Sequence, residues 1–115
     1  MPTAAITSIS EAGIAYQWHS ESGKTRQSAH APWEALERVT AFKRDLFAYD
    51  LICLELVTAN AVIEFDEEDP RWKELVRTMP DHLAGCCKWG QWFTSVAFPA
   101  FETNKQTLFE RRTGL

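Results

Sequence analysis

The stretch "LICLELVTANAVIEF", residues 51–65, constrains the fold of this chain more than any other. Ile52, Leu54 and Leu56 alternate with Leu51, Cys53 and Glu55, and a period of two belongs to a strand. Thr58, Ala59 and Asn60 continue as a tight turn, with Asn60 tolerant of a positive φ. Ala61, Ile63 and Phe65 then return on one face. Residues 50–66 therefore read as an antiparallel hairpin with one strongly apolar face.

The end of the hairpin is equally distinctive. Glu64, Asp66, Glu67, Glu68 and Asp69 place five carboxylates within residues 64–69. Asp69 is expected to cap a helix, and Pro70 suits its first turn. Trp72, Leu75, Val76 and Met79 recur at i, i+3, i+4 and i+7, one face of an amphipathic helix over 70–79. Pro80 is expected to stop it.

The flanks are less regular. Residues 1–11 are small and polar and are expected to be loose. Ile14, Tyr16 and Trp18 alternate with Ala15, Gln17 and His19, a half-buried strand. Gly23 turns the chain into a polar edge strand over 25–30. Pro32, Trp33 and Leu36 fit a single helical turn. Residues 37–45 read as a third strand whose alternation slips near Phe42, the mark of a bulge. Beyond residue 88, Trp89, Trp92, Phe93 and Val96 have helical spacing weakened by Gly90. Phe98, Phe101 and Phe109 in the tail keep no period, and the tail is expected to cross the sheet as coil or a short strand. The sum is an α+β fold. It has a bent antiparallel sheet of about five strands over 13–66, a helix over 70–79 and an aromatic-rich packing segment over 88–115.

A chain of 115 residues with 45% apolar content suits one domain with a modest core. The net charge of −4 argues against nucleic acid or an anionic membrane as partner and favours a basic protein. No apolar run approaches a membrane span, and the first ten residues are no secretory signal, so a cytoplasmic location is expected. Cys53, Cys86 and Cys87 are too few and too badly spaced for a disulfide framework and read as reduced thiols.

The candidate chemistry is sparse. "DEEDP" lacks the glycine and alternating ligands of a calcium loop. "SGKTR" has Trp18 where a phosphate-binding loop needs glycine. His82 with Cys86 and Cys87 is the one local thiol–imidazole grouping, yet adjacent cysteines wrap a metal poorly and no nucleophile signature surrounds them. No catalytic residue, metal or cofactor is expected. Trp72, Trp89 and Trp92 are expected in the core, unless the C-terminal segment leaves them as an exposed patch.

"PWEALERVTAFKRD", the hairpin and "DEEDPRWKELVRTMPDHL" together resemble small bacterial pleckstrin-homology-like proteins over residues 13–83. That resemblance implies a bent antiparallel sheet closed by a helix. It also implies an anion or lipid headgroup held in the sheet's cup, with Lys24, Arg26, Lys43 and Arg44 as the cations. Five strands against that family's seven leave edges for the tail or a second copy of the chain to cover, so a homodimer through an exposed sheet edge is the second partner expectation. The small size and acidity also resemble bacterial immunity proteins, which neutralise a basic toxin by covering it. On that reading Glu64, Asp66, Glu67 and Glu68 form the contact surface, with Glu55 nearby. The leading expectation is a non-enzymatic protein-interaction domain that neutralises or regulates a basic partner. The alternative is the ligand cup.

Overall fold

A computed structural model describes residues 4–19, 25–46, 48–98 and 104–111. The turn expected at Gly23 lies outside these residues. Strands β1 (Ala5–Ser10), β2 (Gly13–His19) and β3 (Arg26–Pro32) form one antiparallel sheet in the order β1-β2-β3. A single 3₁₀ turn, Trp33–Ala35, leads into β4 (Leu36–Asp45), followed by β5 (Asp50–Thr58) and β6 (Val62–Asp66). Helices α1 (Trp72–His82) and α2 (Trp89–Ala97) come next, and β7 (Lys105–Glu110) ends the described chain. The second sheet runs β6-β5-β4-β7. The fold is thus α+β, with two antiparallel sheets in place of one, and seven strands among the described residues in place of five.

The hairpin over 50–66 forms in the register its pattern requires. Leu54 lies opposite Phe65 and Leu56 opposite Ile63. Leu54, Leu56 and Phe65 are fully buried, but Ala61 is exposed and lies outside the inward set. Bulges keep apolar residues inward where alternation slips. The register of β4 on β5 shifts between Leu36 and Arg38, so Leu36 and Val39 both reach the core despite their odd spacing. A second shift, against β7, lies between Val39 and Thr40. Both precede Phe42, where the bulge was expected.

Two other expectations change. Residues 5–10 are not loose; they pair with β2 and bury Ile6. Polar residues alternate there too thinly to announce a strand, and pairing supplies what the local pattern lacks. The helix begins and ends later than 70–79, and Pro80 lies inside it. Proline there removes only its own N–H from the last turn, and Leu83 N–H still closes onto the Met79 carbonyl at 3.0 Å. The tail, expected as coil or a short strand, supplies the short strand β7, which pairs antiparallel with β4 and covers that edge.

Gly13 permits the tight crossing of β2 and β3. Its φ is +151°, and a Cβ there would stand 2.2 Å from the Ala31 carbonyl oxygen. The two sheets meet where Ala4 N–H donates to the Glu64 carbonyl at 3.1 Å. Around the 3₁₀ turn, Trp33 Nε1 donates to the Ser10 carbonyl at 2.8 Å, and His82 stacks on the Trp33 ring at 4.6 Å. Arg111 Nε closes the same corner by donating to the Leu36 carbonyl at 2.9 Å. One apolar cluster joins Ile14, Tyr16, Leu54, Phe65, Trp72, Met79, Trp92 and Leu108, so both sheets and both helices share it.

Candidate functional site

Between β6 and α1 the chain must leave a sheet and enter a helix within five residues. The acidic run is how it does so. Asp66 Oδ1 accepts from Glu68 N–H at 2.9 Å, turning the chain as β6 ends. Glu67 N–H donates to the Ile52 carbonyl at 3.0 Å, and Glu67 Oε1 accepts from Ile52 N–H at 3.2 Å. This reciprocal clamp carries the β5–β6 ladder past its end. Asp69 does more than one job. Its Oδ1 accepts from Arg71 N–H at 2.9 Å, and its Oδ2 accepts from Ile6 N–H at 2.8 Å. The expected cap is therefore different in kind. Arg71 occupies the cap position, and Asp69 ties the helix entrance to the open edge of β1.

Glu64 is also engaged. Arg44 Nη2 donates to Glu64 Oε1 at 2.7 Å while its guanidinium lies over the Phe42 ring. Glu64 stands directly across from Glu55 on β5. Like charges so placed repel, and Arg44 offsets that repulsion. The pair is partly exposed, so it contributes no more than about 1 kcal/mol. Two expected sites, the acidic surface and the cationic cup, thus meet at one ion pair. Of the five carboxylates, Glu68 has no side-chain partner among the described residues.

The four expected cup cations do not converge. Lys24 lies outside the described residues. Arg26 is exposed at the start of β3. Lys43 and Arg44 are adjacent on β4 and so point to opposite faces. Arg44 takes the outer face. Lys43 takes the inner one and is only 1% exposed. Its Nζ donates to the Ala97 carbonyl at the end of α2, 2.9 Å away, and lies 3.4 Å from Asp50 Oδ2. A cation at that helix end complements the dipole. A shared cup for Lys43 and Arg44 is therefore corrected: strand alternation separates them.

His82 stacks its ring on Trp33 and does not gather with Cys86 and Cys87 into a metal-holding group. Cys86 is buried and its Sγ donates to the Cys87 carbonyl. Burial, then the neighbouring Cys87, pushes the Cys86 thiol up to about 12. Burial also pushes Cys53 up to about 11, with Glu64 adding to the rise. Such thiols are poor nucleophiles near neutrality. Among the described residues, no three His, Cys, Asp or Glu side chains gather where they could hold a metal. No described helix is long and apolar enough to cross a membrane.

The acidic run opens onto a feature that the periodicity did not reveal. A groove of about 1030 Å³ runs along α1, lined there by Trp72, Lys73, Val76, Arg77, Pro80 and Asp81. Glu67, Glu68 and Asp69 stand at the end where α1 begins. Lys88, Trp89, Gly90 and Phe93 supply the second wall. Trp92 is fully buried, as expected, but Trp89 is 37% exposed and stacks on Phe93 at 4.2 Å. The exposed aromatic patch anticipated for an incompletely covered C-terminal segment thus exists in part. Gly90, which weakened the helical pattern of α2, was its sequence signal.

No protein-family model, curated protein or solved structure matches this chain.

Proposed function

We propose that this protein is a non-catalytic interaction domain that docks a basic protein and thereby neutralises or regulates it, in the manner of an immunity protein. One observation carries the reading. Most carboxylates of the acidic run are engaged in stitching the fold, yet Glu67 and Glu68 remain exposed side by side on the rim of an apolar groove. Clustered charge steers a basic partner into encounter, and adjacent apolar surface holds it once there.

The test is capture from lysate of the protein's own source at low salt, followed by elution with rising salt. One near-stoichiometric basic protein is expected to leave as salt rises. The comparison variant is Glu67→Gln with Glu68→Lys, because glutamine keeps an oxygen to accept from Ile52 N–H. It is expected to lose the partner while Tm moves by no more than about 3 °C. A partner retained by this variant, or a clean wild-type preparation, would count against the reading.

A further inference from the structure

The groove has the form of a seat for a helix. Its α1 wall is one stripe, Trp72, Lys73, Val76, Arg77, Pro80 and Asp81, which spans about 14 Å at 1.5 Å per residue. That is two to three turns, the length over which a docked helix presents anchors at i, i+3, i+4 and i+7. Val76, Trp89 and Phe93 make the lining apolar. The stack of Trp89 on Phe93 holds the exposed indole rigidly in place, so little side-chain freedom is lost on binding.

Gly90 is the second, independent sign. It is the second residue of α2, and glycine is the weakest helix former after proline. Among the described residues nothing asks for it: its φ is not positive, and a Cβ added there would meet no atom within 4 Å beyond its chain neighbours and its own helix backbone. The space in front of Gly90 is the groove itself. A glycine that costs helix stability and relieves no internal clash keeps a surface clear for close approach by another chain.

Charge sets the occupant's polarity. Glu67, Glu68 and Asp69 lie at the end where α1 starts; Lys73 and Arg77 follow in its first and second turns, with Lys88 on the second wall and Asp81 at the far end. We propose that the α1–α2 groove takes an amphipathic α-helix of the partner protein, with lysine or arginine at the end that meets Glu67 and Glu68, and carboxylates farther along. The proposal rests on the docking function above and names what the partner presents.

The test uses the full chain and a synthetic 15-residue peptide. The peptide carries leucines at i, i+3, i+4, i+7 and i+11, lysines in one terminal turn and glutamates in the other. Calorimetric titration is expected to give saturable binding, with a scrambled peptide of the same composition weaker by about tenfold or more. Gly90→Leu fills the groove from a position with open space and is expected to weaken binding at least about tenfold without lowering Tm. Lys73→Trp crowds the opposite wall from an exposed position and gives a second occluding variant. No saturable binding, or binding that both occluding variants leave unchanged, would overturn the proposal. The same variants separate it from the function it rests on. A natural basic partner captured equally by wild type and Gly90→Leu, but lost with Glu67→Gln/Glu68→Lys, leaves the acidic surface standing and removes the helix seat. A concentration-dependent dimer dispersed by Gly90→Leu would assign the groove to a second copy of this chain and likewise overturn it.

Discussion

At the foot of α2 a single lysine is sealed inside the protein; at the entrance of α1 five carboxylates crowd the surface. The sequence makes the second region conspicuous and the first ordinary, yet the physical stakes run the other way. Lys43 is almost wholly removed from water, so its charge is met by Asp50 and by the α2 carbonyl end. The acidic run keeps Glu67 and Glu68 exposed and Glu64, Asp66 and Asp69 half-buried, so its charges cost less, and Asp66, Glu67 and Asp69 matter as hydrogen-bond acceptors for the backbone. Density of charge along a chain is therefore no measure of how much structure depends on it. Burial and partner geometry are.

The contrast breaks or sharpens under substitution. Lys43→Ala is expected to have the largest effect, destabilising the fold by about 3 kcal/mol, because it deprives Asp50 and the end of α2 of this cation. Lys43→Met keeps most of the buried stem and is expected to cost clearly less. Urea unfolding of the two variants measures the difference. Equal costs would mean that the stem contributes little and that the lost charge accounts for the whole effect.

The buried thiols belong with the interior. Cys53 and Cys86 hold their protons to about 11 and about 12 in the folded chain, against an ordinary value of 9.0. Above pH 9 the unfolded chain sheds protons that the folded one retains. Stability is therefore complete below about pH 9 and falls as pH climbs toward the folded values, by up to about 1.4 kcal/mol per unit for each thiol. Thermal unfolding in reductant at pH 8, 9 and 10 should show the decline, and Cys53→Ala with Cys86→Ala should flatten it.

Asp69→Ala is expected to cost about 1–2 kcal/mol, since the Ile6 and Arg71 N–H groups both lose an acceptor. Hydrogen exchange should locate the loss at Ile6, so that the edge of β1 opens before the core does. Uniform loss across the chain would deny Asp69 its link between sheet and helix. Glu68→Gln sits at the other extreme. With no side-chain partner among the described residues, it is expected to change stability by less than about 0.5 kcal/mol. A larger drop would place Glu68 with the fold and weaken its role at the groove.

Elements whose signal is local were legible in advance. The strands of the hairpin over 50–66 and the stripe Trp72, Leu75, Val76, Met79 each carry their period within a few residues, and both formed as read except at Ala61. β1 was not, and the tail was legible only as coil or a short strand, because the strand character of both comes from pairing. Ile6 is inward only because β2 lies beside it, and β7 is a strand because β4 offers an open edge. The candidate site divides in the same way. Glu67 and Glu68 could be singled out as exposed acids, but the groove beside them requires α1 and α2 to come together from different stretches of chain.

By itself the sequence determined an α+β chain, its central hairpin, its first helix and the abrupt acidic passage between them, since apolar period and turn chemistry act over a few residues. Only the tertiary structure decided which side of β4 is the interior. That placed Lys43 against the end of α2 and Arg44 in solvent reaching Glu64, because the face a strand buries depends on what packs against it, and α2 lies some fifty residues away along the chain.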